Sequence, residues 1–184
     1  EVSELKDNSN TMIGNLRLTT ERNTEQDWLK TNLARFTSML QGQRDVITVA
    51  RMLLSELAPL VNSQHAVLYL MQGTGSNLRL KLMASYGYQE RKNLSREWTI
   101  GEGVVGQAAF EKQRILITSL PEDYIQIVSG LGQSTPRNLV VLPILFEGQV
   151  KAVIELAAFE RFQAIHLNFL DQLSEGLGIV FNSI

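Results

Sequence analysis

The sequence predicts an α+β fold, in which helices pack on an antiparallel sheet and long N-terminal and C-terminal helices carry coiled-coil-like seams. Three patterns support this class. The first is a long hairpin, in which two apolar runs, 139–146 and 149–156, flank the dipeptide Glu147-Gly148. The second is a set of shorter β-type runs between residues 66 and 117. The third is apolar residues at three- and four-residue spacing near both ends, which is typical of helical seams.

The hairpin is the centre of the predicted sheet. Gly148 supplies the positive φ that a two-residue turn needs, and the first arm is apolar throughout, as in a strand covered on both faces. The second arm alternates and places Val150, Ala152, Ile154 and Leu156 on one face. Glu155 falls on the other face, in an apolar setting where a carboxylate needs a partner or a cavity. The hairpin therefore predicts one wall of a pocket.

Residues 1–40 are polar, lack proline and predict one helix with a narrow seam. The seam first runs through Val2, Leu5, Met12 and Leu16, weakens between 19 and 26, and resumes at Leu29, Leu33, Phe36 and Leu40. Because a helix this polar gains little from burial alone, we expect it to pair with a second copy of itself. A helix folded back on its own domain is the alternative.

A second helix and two strands follow. Asp45 is suited to cap a helix in which Pro59 lies near the last turn. Residues 66–71 and 78–83 predict two strands, and the segment 73–77 between them predicts a turn. This unit is typical of a helix followed by an antiparallel hairpin.

A glycine-rich segment begins the second half of the domain. Gly101, Gly103 and Gly106 do not form the phosphate-binding pattern that follows a strand and opens a helix. We interpret them as glycines that let a short helix lie close over the sheet. Residues 115–117 predict another strand, and 120–138 predict a long irregular connection of the kind that often carries function.

The last helix carries the second seam. Leu170, Leu173, Leu177, Val180 and Ile184 are spaced three, four, three and four residues apart. Phe162, Ile165 and Phe169 lie on a neighbouring stripe that is suited to pack on the sheet. We therefore expect this helix to contact both the core and a partner helix.

Composition excludes several classes of function. The formal net charge of −2 at pH 7 argues against a nucleic-acid-binding surface, and the absence of cysteine excludes disulfides, thiolate metal sites and cysteine nucleophiles. No apolar run approaches the ~20 residues that cross a bilayer, so we expect no direct membrane insertion and a cytoplasmic location. The chain begins with Glu1 rather than methionine, and we expect it to be a piece of a longer protein.

Candidate site residues are assigned to a ligand pocket, not to catalysis. The pocket candidates are Tyr69, Tyr86, Trp98, Val105, Phe110, Tyr124, Arg137, Val141 and Glu155. Arg137 is suited either to hold an anionic group or to form an ion pair with Glu155. His65 and His166 are too few for a metal site, and no catalytic arrangement of side chains is apparent. We predict no metal, and the sequence leaves any cofactor undetermined.

The segment Ile100-Gly101-Glu102-Gly103-Val104-Val105-Gly106-Gln107-Ala108-Ala109 resembles the most recognisable segment of GAF domains. Leu142-Pro143-Ile144 and the run from Glu147 to Leu156 resemble the closing hairpin of the same family, and the likeness extends over about 43–184. The stretch from Glu1 to Leu16 resembles the second helix of a HAMP unit. The resemblance implies a HAMP-derived helix over 1–41 and a GAF domain over 42–184.

This combination implies the sensor part of a bacterial two-component system, within a histidine kinase of the hybrid, phosphorelay type. The fragment itself is expected to be a dimer without enzyme activity, and the parent protein to be an ATP-dependent histidine kinase. A dimerisation spacer that binds no ligand and only relays HAMP motion is the alternative. A bilin attached through cysteine and thiol-based sulfoxide reduction are excluded because the chain has no cysteine. The signature of cyclic-nucleotide GAF domains is not apparent.

Overall fold

The computed structural model describes residues 1–87 and 95–184. Four helices are present in these ranges: α1 (Val2–Leu40), α2 (Val46–Leu60), α3 (Gly103–Glu111) and α4 (Ala164–Ser183). The strands are β1 (His65–Gln72), β2 (Arg79–Tyr86), β3 (Glu97–Trp98), β4 (Ile115–Thr118), β5 (Ile127–Ser129), β6 (Gly132–Ser134), β7 (Asn138–Phe146) and β8 (Gln149–Ala158). Residues 88–94, a polar stretch of the sequence, lie outside the described residues.

The described chain forms two compact units, residues 1–38 and 39–184. The first unit consists of most of α1, and the side chains of Val2, Leu5, Met12 and Leu16 in it are between 61% and 81% exposed. In the residues that the structure describes, no helix combines the length and apolar character needed to cross a membrane.

Six strands of the second unit form one antiparallel sheet in the order β3-β2-β1-β8-β7-β4. The predicted hairpin is confirmed as the β7–β8 pair, and its two turn residues, Glu147 and Gly148, have φ values of 49° and 75°. Glycine adopts this left-handed geometry without cost, whereas glutamate does so with strain. The predicted α+β class is confirmed.

Helices cover both faces of the sheet. Helix α3 packs on one face, where its Val105, Ala108 and Ala109 join a buried cluster with strand residues such as Tyr69 and Val141. The buried side chains of α2 and α4 lie outside that cluster, and these helices contact β1, β2, β7 and β8. They pack on the opposite face, whose strand side chains, including Leu68 and Ile154, are also fully buried. A carboxyl group at the centre of this sheet is therefore shielded from water on both faces.

Two close approaches explain why glycine stands at particular helix positions. A side chain at Gly106 would overlap the carbonyl oxygen of Thr99, so this glycine lets α3 lie close to the loop that precedes it, and not to the sheet as predicted. A side chain at Gly178 would overlap the carbonyl oxygen of Leu145, so α4 lies directly against the backbone of β7. Only a residue without a Cβ permits either approach.

Helix α2 begins as its sequence predicts. The Asp45 carboxylate accepts hydrogen bonds from the Thr48 backbone N–H at 2.9 Å and from the Thr48 hydroxyl, and these bonds lower the pKa of Asp45. Pro59 lies inside the last turn, as predicted. The connection 120–138 departs from its prediction, because β5 and β6 form a short two-stranded sheet within it.

Candidate functional site

Five of the predicted pocket residues meet on the sheet face under α3. Tyr69, Trp98, Val105 and Val141 belong to or pack against one buried cluster. Glu155 lies on the same face, because β8 places it directly opposite Val67 of β1 and Val141 of β7, both of which belong to that cluster. A single carboxyl group is thus inserted into an otherwise apolar surface.

The Glu155 side chain is buried at the centre of the sheet. Burial penalises the charged form and raises the pKa of Glu155 to about 7. Within residues 1–87 and 95–184, no side chain forms a hydrogen bond or an ion pair with this carboxyl group. A ligand that donates a hydrogen bond to this buried carboxyl group would stabilise it.

Tyr124 belongs to the connection 120–138 and lies within electrostatic reach of Glu155. Burial, followed by the negative charge of Glu155, raises the pKa of Tyr124 to about 12. Its hydroxyl therefore stays protonated at neutral pH, while 43% of the residue remains exposed. Tyr124 is the part of the connection that places a polar group near the buried carboxyl.

Trp98 contributes a second buried polar group on this face. Its ring lies edge-on to Tyr69, with ring centroids 6.5 Å apart and an interplanar angle of 80°. The indole Nε1–H is buried and has no acceptor among the residues that the structure describes. A Cβ on Gly103 would lie 2.7 Å from Cζ3 of Trp98, so the start of α3 packs directly on the indole. The face thus offers one unpartnered donor in addition to the carboxyl of Glu155.

This arrangement combines polar groups with apolar surroundings. It offers a carboxyl group that titrates near neutral pH and an indole donor, both set in apolar walls, which is typical of small-molecule pockets. In the described ranges, no three histidine, aspartate or glutamate side chains cluster in a way that could hold a metal ion.

Three predicted pocket residues lie away from the Glu155 face; the positions of Tyr86 and Arg137 are corrections, whereas Phe110 lines another cavity. Tyr86 pairs with Ala66, whose side chain points to the opposite face from that of Val67. Phe110 is 67% exposed on the outer side of α3. Arg137 donates to the Glu122 carboxylate at 2.9 Å instead of pairing with Glu155. The sequence prediction missed Val67, Leu139 and Val153, which the alternation of the strands on this face could have identified, and Leu120, which lies outside the strands.

The predicted dimer-seam residues differ in their exposure. Leu29, Leu33 and Val180 are half-buried, whereas Phe36, Leu40, Leu170, Leu173 and Leu177 are buried within the single chain. The α4 part of the predicted seam is corrected accordingly, because three of its leucines are not open to a second chain. The stripe through Val2, Leu5, Met12 and Leu16 of α1 is strongly exposed.

Comparisons with known proteins agree with this fold. The family model of the GAF domain matches residues 43–182 of this chain. Among solved structures, the GAF domain of a phosphoenolpyruvate-protein phosphotransferase from Coxiella burnetii superposes with a TM-score of 0.67 at 15% identity, over 84% of this chain and 93% of that one. The nlh2 GAF domain of A. aeolicus in an inactive state gives a TM-score of 0.64 at 21% identity, over 85% and 98% of the two chains.

A free methionine-R-sulfoxide reductase from Neisseria meningitidis, in complex with its substrate, is also similar, with a TM-score of 0.62 at 19% identity over 82% of this chain and 86% of that one. These identities establish a shared fold and not a shared activity. No curated protein sequence matches the chain. The family match covers most of the chain, and the chain therefore belongs to the GAF domain family, whose members are generally regulatory and non-catalytic sensor domains.

Proposed function

We propose that this chain is the sensor and relay module of a two-component histidine kinase. In this proposal, two chains pair, and a small molecule or partner that engages the Glu155 face favours one arrangement of the end helices. A downstream kinase domain of the same cytoplasmic or membrane-attached protein reads that arrangement. The observation that carries the proposal is the buried Glu155 carboxyl, for which the described residues supply no donor.

A short mechanical route supports coupling between the Glu155 face and α4. Glu155 on β8 is paired with Val141 on β7. Farther along β7, Leu145 lies against Gly178 of α4 with no space for a side chain. Because the backbones of β7 and α4 are in direct contact, a displacement of β7 also displaces the helix. A coupling free energy of about 1–3 kcal/mol would be sufficient for regulation.

The alternative is a spacer that pairs and relays HAMP motion without binding a ligand. The Glu155→Leu change in the full-length protein distinguishes the two functions. For the sensor we expect an altered rate of histidine phosphorylation from ATP, because the ligand loses its buried partner. For the spacer we expect an unchanged rate in a folded variant. Absence of any histidine phosphorylation in the unaltered full-length protein would contradict both kinase assignments.

Pairing through α1 is a separate prediction. We expect the double substitution Leu5→Asn with Leu16→Asn to raise the dimer dissociation constant more than about a hundredfold. The reason is that each dimer loses four leucine side chains that pairing would bury. Ile13→Asn with Leu18→Asn is the matched control, since these exposed residues lie off the seam. Sedimentation equilibrium measures both constants. Equal dissociation constants for the two double variants would contradict an α1 seam.

A further inference from the structure

A cavity that Glu155 does not line opens at one end of the sheet. Its volume is about 670 Å³, and it lies where the β1–β2 turn, the C-terminal end of α3 and the start of β8 meet. We call it the turn groove, and its lining includes Met71, Ile100, Phe110, Lys112, Val150 and Lys151. Its size falls within the roughly 300–1,000 Å³ that is typical of small-molecule sites.

The walls of the turn groove are apolar and accessible. Phe110 is 67% exposed and Ile100 is 41% exposed, although both are large apolar side chains. Gly73 and Gly75 of the β1–β2 turn also line the groove, together with Thr74 and Leu78. A ligand that covers exposed apolar surface in a concave site binds favourably because apolar surface of both molecules is removed from water.

The rim of the turn groove is positively charged. Lys112, which ends α3, and Lys151, near the start of β8, both line it, and the described lining contains no carboxylate. Neither lysine forms an ion pair with any residue in the described ranges. Because the whole chain has a net charge of −2, two lysines that line one groove without an acidic partner are a local feature and not a result of overall basicity.

We propose that the turn groove binds a small amphipathic anion, an aromatic or alkyl group that carries a carboxylate. The apolar body lies against Phe110 and Ile100, and the anionic group lies between Lys112 and Lys151. The groove shares Met71, Ala109 and Val150 with the buried cluster under α3, but Glu155 does not line it. The test below does not use Glu155, so either proposal can fail alone.

Two fluorescent probes test the proposal. 8-Anilinonaphthalene-1-sulfonate is an aromatic anion, and N-phenyl-1-naphthylamine is a closely related molecule without the sulfonate. We expect Lys112→Gln with Lys151→Gln to weaken binding of the anionic probe about five- to tenfold, the effect of losing two solvent-accessible charge pairs. Binding of the neutral probe should change less than about twofold. Lys30→Gln with Lys81→Gln is the charge-matched control, because both lysines are exposed and lie outside the groove lining.

A third variant fixes the location of binding. We expect Phe110→Ala to weaken both probes, because it removes apolar wall that the two molecules share, and its exposure means that the fold is retained. Decanoate should displace the anionic probe from the unaltered protein. An anionic probe that binds equally well to the Lys112/Lys151 variant and to its control, or to the Phe110→Ala variant and the unaltered protein, would overturn the proposal.

Discussion

Replacing Gly178 by alanine is expected to lower the free energy of unfolding by about 2–3 kcal/mol. The added Cβ would overlap the carbonyl oxygen of Leu145, and because that atom belongs to the backbone of β7, it cannot rotate away. The helix or the strand must shift, which loosens the contact between α4 and the sheet. Urea denaturation monitored by circular dichroism measures the change.

Gly176, two residues earlier in α4, provides the matched control. A Cβ at Gly176 would meet no atom within 4 Å. We therefore expect Gly176→Ala to raise the free energy of unfolding by roughly 1 kcal/mol, the difference in helix propensity between the two residues. Changes of the same sign and size at both positions would contradict the close approach of α4 to β7.

The Glu155→Gln variant is expected to become more stable than the unaltered protein as the pH rises. The pKa of Glu155 is raised to about 7 in the folded state, so its contribution to stability is complete below the unfolded pKa of about 4.5 and is lost as the pH rises through 7. At pH 4.5 the two proteins should have similar stability. At pH 8 the variant should be more stable by about 3 kcal/mol, the free energy that corresponds to the pKa difference.

The comparison must be made between variants, because His65 titrates in the opposite sense. Burial lowers the pKa of His65 to about 4. The unfolded chain takes up this proton below about pH 6.5, so stability is lost as the pH falls from there toward 4. In the unaltered protein, Glu155 and His65 change the free energy of unfolding with pH in opposite directions. The difference in that free energy between the unaltered protein and Glu155→Gln reports the contribution of Glu155 alone.

The control is Glu147→Gln in the exposed hairpin turn. We expect it to change stability by less than about 0.5 kcal/mol at both pH values. Denaturation curves at pH 4.5 and pH 8 are sufficient for all three proteins. A stability difference between Glu155→Gln and the unaltered protein that does not depend on pH would show that Glu155 is not a buried carboxyl.

The sequence predicted the parts of the fold that depend on local patterns. The β7–β8 hairpin follows from its alternation and from Gly148, and α2 follows from its Asp45 cap. Glu155 was assigned to a pocket wall because one carboxylate interrupts an apolar face. These features are visible without knowledge of long-range contacts.

The errors came from features that local patterns do not contain. The pairing of β1 with β2 shifts between Leu68 and Tyr69, opposite Ala84 and Leu82, so one extra residue of β2 moves Tyr86 to the other face. Arg137 precedes Val141 by four positions, a separation of roughly 13 Å along an extended chain. Because Val141 is the residue opposite Glu155, Arg137 lies too far along the chain to pair with that carboxyl group.

The expectation that the α4 leucines contact a partner helix as well as the core met a different difficulty. Spacing of three and four residues is produced equally by a coiled-coil seam and by a helix that faces its own core. Leu170, Leu173 and Leu177 follow this spacing, and they face the core of their own domain, since they are buried in the single chain. Only the three-dimensional packing distinguishes the two uses.

The most direct test of the sensor proposal is native mass spectrometry of the purified chain, compared with the same sample after denaturation. We predict a dimer that carries additional small mass, that loses this mass on unfolding, and that lacks it when Glu155 is replaced by leucine. A dimer whose mass equals that of two bare polypeptides would contradict a bound ligand at Glu155 and would favour the spacer. A monomer would contradict pairing in both functions.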